Sequence, residues 1–521
     1  MEIGTSTSPT SALFIDGQGN PKENNLYTNV GFDNYFIIIP AKEENGVIVA
    51  DFTKESLELA LQRCEAIGLA VRIRLHSKLV RPGYNVFTEV FAGVNFAEYD
   101  CLKGFFIVDE PSWAQLDVVE EVYVPWFNTL VQETGRDFEF VVNLLSGYST
   151  SMGGLRDLEG NLVTNNGKYY CENGLWDGQE GYPVTSYGVN YFQKVTMILT
   201  EEEKNNFVTA YHNKWLGIFA KVNSVNKCFS HDAYPFFDNQ EGKINLVNSN
   251  ATAEEIAAAQ EIVTKYVESA EFGLTTNDFL TEIPEGYEYS LKDEWLSRSL
   301  NIAILAKNNG YQYGAHIQVF DEGGLTRSTM TWRLPTTLAE VRWQVYMNLA
   351  MGAKRIDYFS FSATKGGAYM TLGAAPLPIY YLVQQTNAEL DSVGHVFASF
   401  DTWVGVKTFA ADGKSLSAGL QMVSDNEQNL DTLTNVKSVS TSAELVVGEM
   451  IDGEGNHGYM LVGYDDPLNG NSTEVTISFD GAAGFIVYRG GERTLVEAVN
   501  GSYSTTILAG EGVFVIPVYM D

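Results

Sequence analysis

The residues of this 521-residue chain best suited to chemistry are carboxylates that directly follow apolar runs. Gly104-Phe-Phe-Ile-Val-Asp-Glu-Pro-Ser112 delivers Asp109 and Glu110, and the run from Lys227 continues as Ser230-His-Asp-Ala-Tyr-Pro235, delivering Asp232. Asp321 and Glu322 follow a third run that ends at Phe320. Two carboxyl groups are what glycoside cleavage needs: one protonates the leaving oxygen while the other attacks the sugar or activates water. The proton donor needs a raised pKa, which burial beside an apolar group such as Trp113 supplies. Each motif also has a structural explanation. Asp-Glu-Pro before a helix serves as a cap and dipole partner. Asp232 between His231 and Tyr234 serves as a hydrogen-bond node, and Asp321 and Glu322 precede Gly323-Gly324 and suit a solvated loop.

Around these carboxylates, Asp109, Asn143, His231, Tyr234, Gln318 and Tyr358 are the polar residues at run ends that would orient the pair or bind hydroxyl groups. Trp113, Tyr148, Trp176, Tyr234 and Trp332 lie at or near the same loops, and flat aromatic rings stack on the CH-rich faces of sugars. Trp126, Trp215, Trp295 and Trp343 fall in helical segments and read as core. Asp357 sits mid-strand and reads as structural, and His76 and His316 read as core or supporting residues. The histidines are scattered without an HExxH pattern. Cys64, Cys101, Cys171 and Cys228 form no CxxC pair, so a metal cluster and a disulfide scaffold are both disfavoured. No metal and no cofactor are expected.

Charge narrows the partner. Lys and Arg total 33 against 66 for Asp and Glu, a formal net charge of −33. Such a surface repels phosphate backbones and anionic lipid, which argues against nucleic acid and membrane partners. A neutral oligosaccharide or polysaccharide meets no such repulsion. No apolar run reaches the roughly 18 to 20 residues of a membrane span. Met1-Glu-Ile-Gly-Thr-Ser-Thr-Ser lacks the basic and apolar regions of a signal peptide. The protein then acts either in the cytoplasm or, with a secretion signal removed, as a secreted or cell-surface protein; its oligomeric state is left open.

The elements that must position these residues alternate along the chain. β-rich runs at Tyr35–Ile39, Ala70–Leu75, Gly104–Val108, Phe138–Leu144, Lys227–Ser230, Tyr313–Val319 and Arg355–Phe361 are separated by segments of helical period. Those segments lie near 54–67, 114–134, 201–222, 290–309, 337–352 and 379–397, with Ser112 as an N-cap and Gly68, Gly310 and Gly352 past helix ends. Alternation implies parallel βαβ units, and with an eighth strand hidden in the first 34 residues it implies a (β/α)8 TIM barrel over 1–400. Insertions at about 146–200, rich in Gly, Asn and Tyr, and 238–289, containing the Ala-rich run Ala253–Ala270, would shape a cleft on its C-terminal face. A doubly wound sheet would carry a Gly-rich loop after its first strand, and Ile39-Pro-Ala-Lys-Glu-Glu has none. Over 401–521, short runs at Ala443–Met450, Gly458–Tyr464, Glu474–Phe479, Gly484–Tyr488 and Gly512–Val518 indicate a small antiparallel β-sandwich, with Asp452-Gly-Glu-Gly455 as a hairpin turn.

Three segments together carry a resemblance: Gly104–Ser112, Ser230–Pro235, and Arg333-Leu-Pro-Thr followed by Glu340-Val-Arg-Trp-Gln-Val-Tyr-Met-Asn-Leu-Ala-Met-Gly-Ala-Lys-Arg-Ile-Asp-Tyr-Phe359. Over roughly residues 30–400 the chain resembles bacterial barrel glycoside hydrolases of the β-galactosidase-like clan, in a branch carrying an Asp-Glu-Pro motif. The resemblance implies an acid/base glutamate after strand four and a nucleophile glutamate after strand seven. With a hidden first strand, Glu110 falls after strand four. Strand seven then ends with Gln318 where a glutamate would stand. The resulting expectation is a glycosidase for β-linked sugars with Glu110 as general acid, Asp232 as base or nucleophile, and Glu322 as the alternative nucleophile. Aromatic stacking would fall to Trp113 and Trp332. The rival is a non-catalytic carbohydrate-binding protein that has lost one carboxylate. A metal-dependent hydrolase is a third idea, opposed by the lack of clustered histidines. Carboxyl groups about 5 Å apart would imply retention of configuration, and about 6.5–9.5 Å inversion.

Overall fold

The structure, a computed structural model, describes residues 2–5, 25–144, 158, 164–165, 168–171, 174–176, 201–231, 233–236, 243–245, 288–320, 333–361, 370–372, 375–426 and 433–520. Eight parallel strands follow one another in chain order: β1 (Glu2–Thr5), β2 (Asn34–Ile39), β3 (Ala70–Leu75), β4 (Leu102–Asp109), β5 (Glu139–Leu144), β6 (Lys227–His231), β7 (Gln312–Gln318) and β8 (Arg355–Phe359). Strand β1 pairs with β8 and also approaches β2, which closes the sheet into a barrel. The eighth strand does lie within the first 34 residues, and Glu110 follows the fourth strand. The fold is therefore a (β/α)8 barrel followed by antiparallel β-sheets.

Alternation along the strands sorts the barrel interior into layers. At one level Arg72, Glu139, Arg355 and Asp357 form a buried ion cluster. Glu139 takes Arg72 on one oxygen and the Arg355 Nη1 on the other at 2.9 Å, and Arg355 Nε meets Asp357 Oδ2 at 2.6 Å. Two cations and two anions leave the cluster neutral, the condition under which buried charge is tolerable. Next comes an apolar layer of Phe36, Phe106, Val141 and Cys228, with the two phenyl rings edge to face at 5.5 Å. Gly314 makes room for it, since a Cβ there would stand 2.8 Å from Cys228 Sγ. Above that layer the lining turns polar.

Helices surround the barrel: α1 (Lys54–Ala66), α2 (Trp113–Val118), α3 (Val124–Thr134), α4 (Glu201–Ala220), α5 (Leu291–Asn308), α6 (Leu338–Ala350) and α7 (Pro378–Ser399). One continuous helix was expected over 114–134. The structure instead interrupts it with a π turn at Val119–Tyr123, just before Pro125. Proline lacks the N–H for an i→i−4 bond and its ring crowds that carbonyl, so the wider turn accommodates it. The C′ glycines behave as expected, with φ of +70° at Gly68, +68° at Gly310 and +83° at Gly352.

Beyond α7, a six-stranded antiparallel sheet has the order β9-β11-β12-β17-β14-β15 and a three-stranded one β10-β13-β16. In chain order these are β9 (Thr402–Phe409), β10 (Val436–Thr441), β11 (Leu445–Ile451), β12 (His457–Gly463), β13 (Thr473–Phe479), β14 (Ala482–Arg489), β15 (Glu492–Glu497), β16 (Ser502–Ile507) and β17 (Gly512–Tyr519). A short helix, α8 (Ala418–Ser424), precedes β10. Five of these strands are the runs read from the sequence. β9, β10, β15 and β16 are additional, and polar positions along them break the apolar pattern. Leu445, Val447, Leu461, Ile477, Phe485 and Val515 fill the space between the sheets. Val446, Met450, Met460, Val462 and Phe514 point the other way and join the core of the barrel. The central strands β11, β12 and β17 of the six-stranded sheet are therefore covered on both faces, and their seat is helix α6. Trp403 Nε1 donates to the Ala350 carbonyl at 2.9 Å, and a Cβ on Gly448 would meet that carbonyl oxygen at 1.9 Å.

Candidate active site

Strand β4 sets the site through a register shift. Phe106 points into the barrel, so strict alternation would turn Asp109 outward. A bulge between Phe106 and Val108 pairs Val108 with Val142 and Asp109 with Asn143. Val108 then joins the outer core, and Asp109 joins the lining at the level of Asn143. Bulges re-aim side chains in this way.

Asp109 has both carboxylate oxygens engaged. Arg74 Nη2 donates to Oδ2 at 2.5 Å, and Asn143 Nδ2 donates to Oδ1 at 3.1 Å. Asn143 in turn accepts from Ser230 Oγ at 3.2 Å. A polar belt thus runs across β3, β4, β5 and β6, directly above the apolar layer, with the Arg74 guanidinium 4.9 Å over the Phe106 ring.

The turn that follows is tied at several points. Ser77 Oγ donates to the Asp109 carbonyl at 3.0 Å, and the Glu110 N–H donates to the Asn143 carbonyl at 2.9 Å. Tyr211 on α4 donates its hydroxyl to the Pro111 carbonyl at 2.8 Å. Ser112 caps α2 in a capping box with Gln115, as its position suggested, and Gln115 Nε2 donates to the Ser77 carbonyl at 2.8 Å. Within this turn Glu110 has φ +48°, the left-handed region, and its side chain is exposed. The burial expected from Trp113 is not found among the described residues: Trp113 packs its own ring into the interface with Tyr211, centroids 6.2 Å apart.

Other candidates separate into groups. Tyr234 is buried in an aromatic set with Phe320 (5.0 Å) and Phe359 (6.0 Å), and Phe320 meets Phe359 at right angles. Phe359 ends β8, four strands round from β4. Gln318 is fully buried and its amide is committed to backbone. Oε1 accepts from the Phe236 N–H at 2.9 Å, and Nε2 donates to the carbonyls of Phe236 and Arg333, both at 2.8 Å. His231 is buried with neither ring nitrogen hydrogen-bonded among the described residues, and desolvation, aided by His212, His316 and Arg298, pushes its pKa down to about 3. Tyr358 lies on the outer side of β8 and donates to Asn387 Oδ1 of α7 at 2.8 Å. The geometry therefore joins Asp109, Glu110 and Asn143; Trp113 turns its ring to Tyr211, His231 alternates to the other side of β6 from Ser230, and Tyr358 faces α7. Asp232, Glu322 and Trp332 lie outside the described residues, as do Asp321, Tyr148, and the segment 251–270 with its Ala-rich run.

Arg74, Ser77 and Ser230 are the neighbours that sequence reasoning did not place in the site. Arg74 stands at the end of an apolar run and Ser230 opens the Ser-His-Asp-Ala-Tyr-Pro motif, which were the available signals; Ser77 carried none. His76, two residues past Arg74, accepts from the Lys78 N–H at 3.2 Å, and its pKa is lowered by desolvation and by Lys78 and Arg74. No group of three or more His, Cys, Asp or Glu arranged to hold a metal occurs among the described residues, and no described helix is long and apolar enough to cross a membrane.

No family model matches the chain, and no curated protein matches it. Among solved structures, the chain is similar to α-galactosidase I from Mortierella vinacea at 8% identity and TM-score 0.40, covering 94% of this chain and 89% of that one. It is similar to a family 39 glycoside hydrolase from Bacteroides cellulosilyticus at 10% identity and TM-score 0.39, covering 99% and 81%. It is also similar to an α-galactosidase from Saccharomyces cerevisiae at 8% identity and TM-score 0.39, covering 95% and 91%. Likeness at this level assigns no family and says nothing of activity or substrate.

Proposed function

We propose that this protein is a glycoside hydrolase acting on a β-linked sugar, with Glu110 as its general acid. The presentation of Glu110 carries the reading. A non-glycine residue in the left-handed region costs on the order of 1 kcal/mol, and glycine or asparagine would hold the turn more cheaply. Here a glutamate is held there, exposed, at the C-terminal end of a barrel strand where barrel enzymes carry their catalytic groups. Phe359, half-buried at the end of β8 and packed against the buried Tyr234 and Phe320, supplies an aromatic edge suited to the apolar face of a sugar ring.

In the reaction, the Glu110 proton passes to the glycosidic oxygen as the C–O bond breaks and its electron pair leaves with that oxygen. The second carboxylate either attacks the anomeric carbon or takes a proton from the water that does. Asp232 remains the preferred second group and Glu322 the reserve. Glu110→Gln keeps the shape and removes the proton. We expect turnover of a phenyl glycoside to fall by about 10²–10⁴-fold with binding largely retained. Near-normal hydrolysis by that variant sinks the assignment.

A second reading, carbohydrate binding without hydrolysis, is favoured by one observation. The residue ending β7 is an amide fully engaged with backbone. Calorimetric binding of oligosaccharides together with no hydrolysis of an aryl-glycoside panel would select it.

A further inference from the structure

Asp109 and Glu110 are adjacent carboxylates in one turn, yet their surroundings give them different work. Both Asp109 oxygens are held, its carbonyl is held, and the N–H of the next residue is held. A carboxylate committed on both oxygens is poorly placed to attack a sugar or to take a proton from water. It is well placed to fix the peptide that follows it.

The anchor of this arrangement is Arg74. Its side chain is only 13% exposed, and its guanidinium lies 4.9 Å over Phe106, whose ring is locked against Phe36 in the apolar layer. A planar guanidinium clamped between a ring and a carboxylate is a rigid strut, in a way a lysine ammonium is not. Asn143 holds the opposite oxygen of Asp109 and is itself fixed by Ser230. Asn143 also contributes the carbonyl that receives the Glu110 N–H at 2.9 Å. Loss of the strut leaves Asp109 held by Asn143 on one oxygen alone, which loosens the residue preceding the left-handed turn at residue 110.

We propose that Arg74, acting through Asp109, is a positioning residue that holds Glu110 in the conformation from which it delivers its proton. The proposal rests on the reading of Glu110 as general acid. It also takes Asp109 out of the search for the second carboxylate.

The test compares Arg74→Met, Arg74→Lys and Glu110→Gln on two aryl glycosides. The phenyl leaving group needs protonation, and the 2,4-dinitrophenyl group leaves without it. A displaced acid slows leaving-group departure, read as kcat/KM, only for the first. For Arg74→Met we expect a loss of about 10²-fold in kcat/KM, which reports the steps through leaving-group departure, on the phenyl glycoside and only a few-fold on the dinitrophenyl one. Arg74→Lys should lose about 10-fold on the phenyl glycoside, and it carries the test if the methionine variant does not fold. Equal losses on both substrates, or none on either, overturn the proposal.

Failure of the underlying reading looks different. The wild type would then hydrolyse neither glycoside, or Glu110→Gln would spare the phenyl glycoside. A crystal structure of Arg74→Met decides the positioning claim without any activity. Departure of residue 110 from positive φ supports it, and an unchanged turn with Asp109 in place refutes it.

Discussion

Glu139 offers the sharpest physical test of the barrel, because one carboxylate answers two buried arginines. Arg72, Arg355 and Asp357 are each at most 2% exposed, so water cannot take over a missing partner. Glu139→Gln preserves volume and removes one negative charge, leaving two cations with one anion. At an effective dielectric near 20, each unit pair at about 4 Å is worth about 4 kcal/mol. Part of that attraction is offset because the glutamine no longer has to be desolvated as an ion. Breaking a buried pair in this way costs about 3–5 kcal/mol. If the barrel unfolds as one unit of about 400 residues, its unfolding entropy near 0.8 kcal/mol/K converts this loss to a Tm drop of about 5 °C. Near-UV circular dichroism during urea and thermal unfolding measures both. The double variant Arg72→Met/Glu139→Gln restores neutrality, because Arg355 keeps Asp357, and should recover to within about 1 kcal/mol of wild type. A single variant that unfolds like wild type would refute the reasoning, as would a double variant as unstable as the two losses summed.

Two further outcomes follow from burial and close approach. Lys354 donates to the carbonyls of Phe397 and Phe400 at 3.1 and 2.7 Å, and desolvation lowers its pKa from 10.5 to about 8. Its folded pKa lies below its unfolded one, so stability should rise between about pH 8 and 10.5 by up to about 3 kcal/mol, the penalty being fully present below pH 8. Lys354→Met should flatten that rise, and parallel pH–stability curves for the two proteins would count against it. Gly448→Ala drives a Cβ to 1.9 Å from the Ala350 carbonyl oxygen and should destabilise by about 3 kcal/mol, whereas Gly453→Ala, with nothing within 4 Å, should be neutral. Equal urea midpoints for the two alanine variants would remove the steric argument.

The barrel was legible because each of its long strands is a run of β-branched or aromatic residues bounded by polar turns, and that pattern survives in the sequence alone. Strand β1 was not, since four residues, Glu-Ile-Gly-Thr, are too few to show a period. The strands β10, β15 and β16 were missed for another reason. Along β15 only Val496 is even half-buried, so no apolar alternation marks it. At the site, Asp109, Glu110 and Asn143 stand out because strand ends can be counted. Their arrangement could not be read, because it depends on a bulge that reverses the facing of Asp109 and on partners such as Arg74 and Ser230 on other strands. Gln318, His231 and Tyr358 look alike in sequence, as polar residues at the ends of apolar runs. They differ in which backbone or helix they meet, and that only a folded neighbour decides.

The two-sided burial of β11, β12 and β17 has a consequence for biosynthesis. Helix α6 leaves the ribosome roughly 170 residues before β17, the last strand of its cover. At about 5–20 residues per second, its outer face stays uncovered for about 10–30 s. Throughout that interval Tyr346 and Ala350 lack the backbone at Gly512 and Gly448 that covers them. A chain halted near residue 400 would hold every barrel strand and still present a sticky helix, a natural target for a chaperone or a protease. Covering of the barrel is thus timed by the synthesis of β17 rather than by that of the last barrel strand.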